Sequence, residues 1–89
     1  MKGIITVVGK DKVGIIAKVC TYLADANINI LDISQTILQG YFNMIMVVDI
    51  NKDSKSIEIV GDELTQLGAE IGVVINVQHE DIFNSMHRI

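Results

Sequence analysis

The joint between the first apolar run and the first helical pattern constrains the fold most. Residues 4–8 are mostly apolar, residues 13–26 place apolar side chains at helical spacing, and the turn between them reads Gly9-Lys10-Asp11-Lys12-Val13-Gly14. A chain that leaves a strand and enters a helix within a few residues favours glycine, which has no Cβ to obstruct unusual backbone angles. Because the first turn of a helix has N–H groups without partners, the joint also predicts a position that favours an anion.

The other patterns predict further strands at residues 28–38, 41–50 and 73–79 and a second helix at residues 56–71, after a first strand at residues 2–8. The alternation in the second strand fails around Asp32, which predicts a β-bulge, and Gln39-Gly40 predicts a tight hairpin. The buried stripe of the first helix is predicted to contain Val13, Ile16, Ala17, Cys20, Leu23 and Ala24. That of the second helix is predicted to contain Ile57, Val60, Gly61, Leu64, Leu67, Gly68 and Ile71.

The element order β-α-β-β-α-β with right-handed crossovers predicts an α+β, ferredoxin-like fold: a four-stranded antiparallel sheet with two helices on one face. The first and third strands, which are the most apolar, should be central. Two glycines on the second helix, Gly61 and Gly68, should let it approach the sheet closely. We expect Gly14→Val to harm the protein more than Gly68→Ala, since Gly14 lies in the tight turn.

A chain of 89 residues predicts one domain, which we assign to residues 1–80, followed by a short amphipathic tail at residues 81–89. The net charge of −4, with Arg88 as the only arginine, argues against nucleic-acid binding. No apolar run is long enough for a membrane span, so no membrane partner is expected. The lone Cys20 and the lack of a signal-peptide pattern favour the cytoplasm.

No catalytic, metal or cofactor site is predicted. The spacing of Gly9 and Gly14 is that of a phosphate loop, but Ile15 and Ile16 occupy the positions that require Lys and Ser/Thr. A calcium loop starting at Asp49 would need Gly and Glu where Ser54 and Val60 stand. Cys20 is interpreted as a buried structural thiol on the apolar stripe, and His79 as an edge-strand residue.

Two stretches resemble the ACT domain family. The sequence Gly9-Lys10-Asp11-Lys12-Val13-Gly14-Ile15-Ile16 is similar to its first-turn motif, and Ala26-Asn27-Ile28-Asn29-Ile30 is similar to its entry into the second strand. The whole chain resembles small stand-alone ACT-domain proteins of bacteria and archaea, akin to the ACT modules of the glycine-cleavage regulator. Lys12-Val13 departs from the Arg-Pro that frequently precedes the second glycine.

The resemblance implies a regulatory domain without catalysis, which forms a homodimer, binds an amino acid at the interface and acts in trans on a protein that the sequence does not name. The family's binding positions correspond here to Asp11, Gly14 and Asn29. Main-chain N–H groups from Val13 to Ile15 suit the α-carboxylate of the ligand. Asp11 either forms the N-cap of the helix or receives the ligand's ammonium group. Asn29 is either a binding residue or a structural polar residue, in a capped turn or on an edge strand.

The alternative function is a ligand-independent dimerisation or protein-interaction module. It predicts the same fold and the same exposed edges but no response to any small molecule. A melting-temperature screen against the amino acids separates the two, because a ligand of the folded state raises that temperature.

Overall fold

The structure, a computed structural model, describes residues 1–10 and 13–81. Its elements occur in the order β1 (Lys2–Lys10), α1 (Ile15–Asp25), β2 (Asn29–Leu38), β3 (Tyr41–Asp49), α2 (Ile57–Ile71) and β4 (Val73–His79). The strands form one antiparallel sheet in the order β2-β3-β1-β4. The predicted ferredoxin-like α+β fold is confirmed, with the two most apolar strands at its centre.

One face of the sheet contributes the hydrophobic core. Ile5 lies opposite Met46, and Val7 lies opposite Met44 on one side and Ile75 on the other. Residues that lie opposite each other in an antiparallel sheet share a face, so these side chains point to the same side, where both helices pack. The core cluster also contains Val19 and Leu23 of α1 and Val60 and Leu64 of α2.

The opposite face, here called the open face, carries the alternate residues of the strands. It includes Ile4, Thr6 and Val8 of β1 with their partners Val47, Ile45 and Asn43 of β3, and Val74 of β4. Val8, Ile45 and Val74 are exposed on it, whereas Ile4 is buried.

The buried stripe of α1 differs from the prediction. Gly14 is the N-cap residue, with φ of 90°, and the helix begins at Ile15 rather than Val13. The buried residues of the helix are Ile15, Val19 and Leu23. The predicted stripe residues Val13 and Ile16 are exposed. Val13 lies in the turn before the helix, so it cannot take part in the helical repeat, and the row of residues four apart that starts at Ile15 faces the sheet instead.

The second helix is closer to its prediction. Ser56 is the N-cap residue, and its hydroxyl accepts a hydrogen bond from the N–H of Ile59 at 3.4 Å. Val60, Leu64 and Gly68 are its buried residues, and Ile57, Leu67 and Ile71 pack beside the core. The helix ends at Gly72, with φ of 80°, a left-handed conformation that glycine adopts readily.

Local features of the β2–β3 hairpin were also predicted correctly. The pairing register shifts between Ile30 and Asp32, which is the bulge expected there. Leu38 pairs with Tyr41, so Gln39 and Gly40 form a two-residue turn, and both have positive φ. That combination is the type I′ geometry that matches the twist of the flanking strands. Of the predicted tail, Asp81 is described, and residues 82–89 lie outside the described part of the chain.

Candidate functional site

The turn before α1 leads into backbone donors that have no acceptor within the helix. The first intrahelical hydrogen bond runs from the N–H of Lys18 to the carbonyl of Gly14, at 3.0 Å. The N–H groups of Ile15, Ile16 and Ala17 precede it and have no carbonyl four residues earlier within the helix. Gly14 provides no side-chain cap, and the first turn contains no acidic residue. The positive end of the α1 dipole therefore favours an anion.

A small cavity lies beside this helix end. Its volume is about 240 Å³, and it is lined by Val13, Gly14, Ile15, Lys18, Glu70 and Ile71. Lys18 comes one turn after Gly14, and Glu70 belongs to the last turn of α2. Within residues 1–10 and 13–81, Lys18 and Glu70 form no ion pair with each other or with another side chain. The cavity thus combines backbone donors with one positive and one negative side chain.

The cavity brings together three of the predicted binding residues, Val13, Gly14 and Ile15. Asp11 lies outside the described residues. The N-cap position of α1 is occupied by Gly14. The left-handed backbone of Gly14 starts the helix three residues later than an N-cap at Asp11 would have done.

Asn29 lies at the other end of the sheet. It is the exposed first residue of β2 and pairs with Asp49, which pairs in turn with Lys2 at the start of β1. The turn that contains Gly14 follows the opposite end of β1. From Lys2 to Gly9 there are seven residues, a distance of about 23 Å at the rise of a strand. One protomer therefore does not bring Asn29 together with Gly14.

Sequence reasoning did not identify Lys18 or Glu70. The spacing of Lys18 in the sequence could have indicated it, since a residue four positions after the N-cap lies next to that cap on the helix surface. No sequence spacing indicates Glu70, because its proximity to the α1 N-terminus depends on how the two helices pack. Both are exposed polar helix residues and look alike in sequence to several others on the same helices.

A second cavity lies between the helices, with a volume of about 400 Å³ and a lining of Ala17, Lys18, Thr21, Tyr22, Asp25 and Leu67. The hydroxyl of Tyr22 donates a hydrogen bond to Oε1 of Glu63 at 2.6 Å. The Nζ of Lys55 contacts the same oxygen at 2.8 Å and lies 5.6 Å from the centre of the Tyr22 ring. This cluster ties α1 to α2 and to the loop before it.

The cluster shifts the protonation of both acids. Burial raises the pKa of the Tyr22 hydroxyl, and the hydrogen bond to the Glu63 carboxylate raises it further. The hydrogen bond from Lys55, followed by that from Tyr22, lowers the pKa of Glu63. The two shifts agree, because both favour a protonated tyrosine beside an ionised glutamate. The charges are neutralised internally, so the arrangement is suited to holding the helices together.

Other chemistry-bearing residues occupy structural positions. Cys20, which was predicted to be buried, is only partly buried and packs against the core. His79 ends the edge strand β4, as predicted. Across the described ranges, no group of three or more His, Cys, Asp or Glu side chains is placed to hold a metal ion. None of the helices in those ranges is both long and apolar enough to cross a membrane.

Comparisons with known proteins agree with this architecture. The family model of the ACT domain matches residues 3–78. A UPF0237 protein of Bifidobacterium longum is 58% identical over 88 residues, which cover 99% of this chain and 98% of that protein.

Solved structures show the same relationship. An ACT domain protein from Streptococcus pneumoniae is 44% identical, with a TM-score of 0.82 and 93% of each chain covered. A putative glycine cleavage system transcriptional repressor is 25% identical, with a TM-score of 0.77, over 86% of this chain and 44% of that one. The match of the family model, the identity to the Bifidobacterium protein and the shared fold lead to one conclusion: the chain belongs to the ACT domain family, within its small UPF0237 proteins.

Proposed function

We propose that this chain is a non-catalytic regulatory domain that binds a free amino acid between two copies of itself and acts on a separate protein. ACT domains are typically regulatory, bind small effectors and dimerise. The observation that carries the proposal is the cavity at the α1 N-terminus, where backbone donors of the first helical turn share one lining with a cationic and an anionic side chain.

The carboxylate of the ligand is assigned to the helix end. Backbone N–H groups at Ile15 and Ile16 and the positive end of the helix dipole favour a carboxylate there. The absence of a side-chain cap at Gly14 supports this assignment, since no oxygen of that residue competes for the donors. Lys18 adds a positive charge on the wall of the same cavity.

The ammonium group is assigned to acidic side chains. Glu70 supplies a carboxylate that lines the same cavity and has no ion-pair partner among the described residues. Asp11, from the sequence resemblance, is proposed as a second acidic contact. A cavity of about 240 Å³ is small, which favours an amino acid with a short side chain.

Asn29 is assigned to the site from the second copy. β2 is an edge strand, and its exposed residues include Leu31, Ile33, Ile37 and Leu38. An edge of this kind pairs readily with another strand. If two β2 strands pair antiparallel about an axis near Ser34 and Gln35, Asn29 of the partner subunit falls level with Gly40. That is the end of the sheet at which α1 begins, so the pairing would complete a site that one protomer leaves open.

The test is calorimetry with each amino acid on the full chain. Wild type should bind one or a few amino acids, and Glu70→Gln should weaken binding by about 1–3 kcal/mol, because the ligand ammonium loses its charged partner. Asp62→Asn is the matched control, since it removes one negative charge from an exposed position on the same helix. Equal binding by wild type and Glu70→Gln would move the site elsewhere.

A ligand-independent interaction module is the second candidate. The exposed apolar residues of β2 favour it, because they can form an interface without any small molecule. If no amino acid produces heat or raises the melting temperature, while the protein is still a dimer, this second function replaces the first.

A further inference from the structure

The burial of Ile4 sets it apart from the rest of the open face. Ile4 is 5% exposed, whereas Val8, which lies four residues further along β1 on the same face, is 47% exposed. Ile45 and Val74 on that face are 39% and 63% exposed. Ile4 also does not belong to the core cluster formed on the helix side. Its neighbours in the sheet, Val47 and Gln78, lie beside it and cannot cover it from above.

The chain leaves the sheet next to Ile4. His79 at the end of β4 pairs with Gly3, and Gln78 pairs with Ile4 itself. Glu80 and Asp81 are in helical conformation, so the chain turns out of the strand there. Among the described residues both helices pack on the other face, so neither helix covers Ile4. The chain beyond Asp81 continues from a point close to the pair formed by Ile4 and Gln78.

We propose that the lower half of the open face, centred on Ile4 and Val47, is the docking surface for the C-terminal segment of the same chain, residues 82–89. The segment contains the apolar residues Ile82, Phe83, Met86 and Ile89. Their spacing corresponds to one stripe of a helix, and such a stripe can be buried on an exposed sheet face of Ile and Val.

Length and charge both suit this occupant. Eight residues rise about 12 Å in a helix, and the distance from β4 to β3 is about 10 Å, two strand spacings. A helical segment can therefore reach β3 from the end of β4. Arg88, near its end, would reach the part of the open face that carries Asp49 and Asp32. No other arginine occurs in the chain.

Docking of residues 82–89 is separate from amino-acid binding, and it restricts which surfaces two copies of the chain can use to associate. A face covered by its own chain is not available for a second copy stacked on it. Association would then be directed to the edge of β2, which the segment does not need to cover.

Thiol protection tests the proposal in the full chain. In a Cys20→Ser background, Thr6→Cys puts a reactive group on the open face next to Ile4, and Gln66→Cys puts one on the exposed side of α2 as a control. Replacing Phe83 and Met86 together by serine should speed maleimide labelling at position 6 by about tenfold or more, because the segment loses most of its apolar contact. Labelling at position 66 should not change.

Matched variants separate docking from a general effect. Asn84→Ala with Ser85→Ala alters the same segment at polar positions and should leave position 6 protected, as should Phe83→Leu with Met86→Leu. Equal labelling rates with and without the Phe83 and Met86 side chains overturn the proposal. Protection that disappears on dilution also overturns it, because the covering segment would then belong to another subunit.

A measurement on the wild-type chain tests the docking even if a variant unfolds. The chain has two phenylalanines, and Phe42 is buried on the helix side. Nuclear Overhauser contacts between the Phe83 ring and the methyl groups of Ile4 or Val47 are expected. A Phe83 ring without contacts to open-face methyl groups contradicts docking.

Discussion

Gly68 of α2 packs directly against the backbone of Val73, the first residue of β4. A Cβ at Gly68 would lie 2.7 Å from the carbonyl oxygen of Val73 and 3.0 Å from Cγ1 of Ile75. The glycine thus allows the helix to approach the strand closely, as the glycines on its apolar stripe predicted. Gly61 has much more room, since the nearest atom to its Cβ would be Cβ of Val77 at 3.9 Å.

Gly68→Ala should therefore destabilise the protein by about 1–3 kcal/mol, because a backbone atom must move to admit the methyl group. Gly61→Ala is the control at the same kind of helix position. It should stabilise by up to about 1 kcal/mol through helix propensity alone. Urea unfolding of both variants measures the difference, and a Gly68→Ala variant as stable as Gly61→Ala would mean that the helix and strand are further apart.

This contact changes the ranking expected from the sequence. The positive φ expected at Gly14 is confirmed at 90°, but a Cβ there would have no atom within 4 Å. Substitution at Gly14 thus costs conformational strain without a steric clash. We now expect Gly68→Ala to cost at least as much as Gly14→Val, since a methyl group at Gly68 forces the backbone carbonyl of Val73 to shift.

The Tyr22–Glu63 hydrogen bond should make stability sensitive to alkaline pH. The pKa of Tyr22 is raised in the folded state, so its contribution is fully present below the ordinary tyrosine pKa of about 10 and is lost as pH rises above it. Tyr22→Phe should cost about 0.5–1.5 kcal/mol at neutral pH. Above about pH 10, the melting temperature of this variant should also decrease less steeply with pH than that of wild type.

Tyr41→Phe provides the control for this effect. Tyr41 is exposed, and its hydroxyl forms no hydrogen bond with the described residues. Melting curves of Tyr41→Phe should follow those of wild type across the alkaline range. If Tyr22→Phe does the same, the bond between α1 and α2 contributes nothing in solution.

Features of the fold that depend on residues close together in sequence were predictable, whereas features that depend on residues far apart in sequence were not. The bulge at Leu31 and the hairpin at Gln39-Gly40 depend on neighbouring residues, so the sequence pattern indicates both directly. The cap at Ser56 is also a local feature. The prediction of the buried stripe of α1 was wrong because apolar residues occur on two sides of this helix. The helix begins directly after Gly14, and the side that starts with Ile15 is the buried one.

The candidate site was predictable only in part for the same reason. Local turn chemistry indicated Gly14 and Ile15 as candidates, whereas Lys18 and Glu70 line the same cavity because two helices pack together. The separation of Asn29 from Gly14 depends on the sheet register, which links Asn29 to Lys2 through Asp49. No local pattern carries that information.

Disruption of the β2 edge should prevent dimer formation. Ile37 is 55% exposed on the edge strand, and a lysine there would place a charge in the proposed interface. Ile37→Lys should be a monomer by light scattering. Val74→Lys, on the opposite edge strand and 63% exposed, should remain a dimer. The reverse result would assign the interface to β4.

A mixing experiment tests whether the amino-acid site is shared between subunits. Asn29→Ala removes an exposed side chain, so the fold should persist while binding weakens by about 1–3 kcal/mol, the cost of leaving a polar group unpaired in a closed site. Glu70→Gln should weaken binding on the other side of the same site. Each variant alone should therefore form dimers in which both sites are defective.

In a mixed dimer of these variants, one site would receive Glu70 from the Asn29→Ala chain and Asn29 from the Glu70→Gln chain. That site would be intact, and the other would carry both changes. Calorimetry on the equilibrated mixture should therefore recover tight binding at a fraction of the sites, up to half in a purified mixed dimer. A site contained in one protomer gains nothing from mixing, because every chain keeps its own defect. Binding by the mixture that merely averages the two variants would therefore exclude the shared site and remove Asn29 of the partner subunit from it.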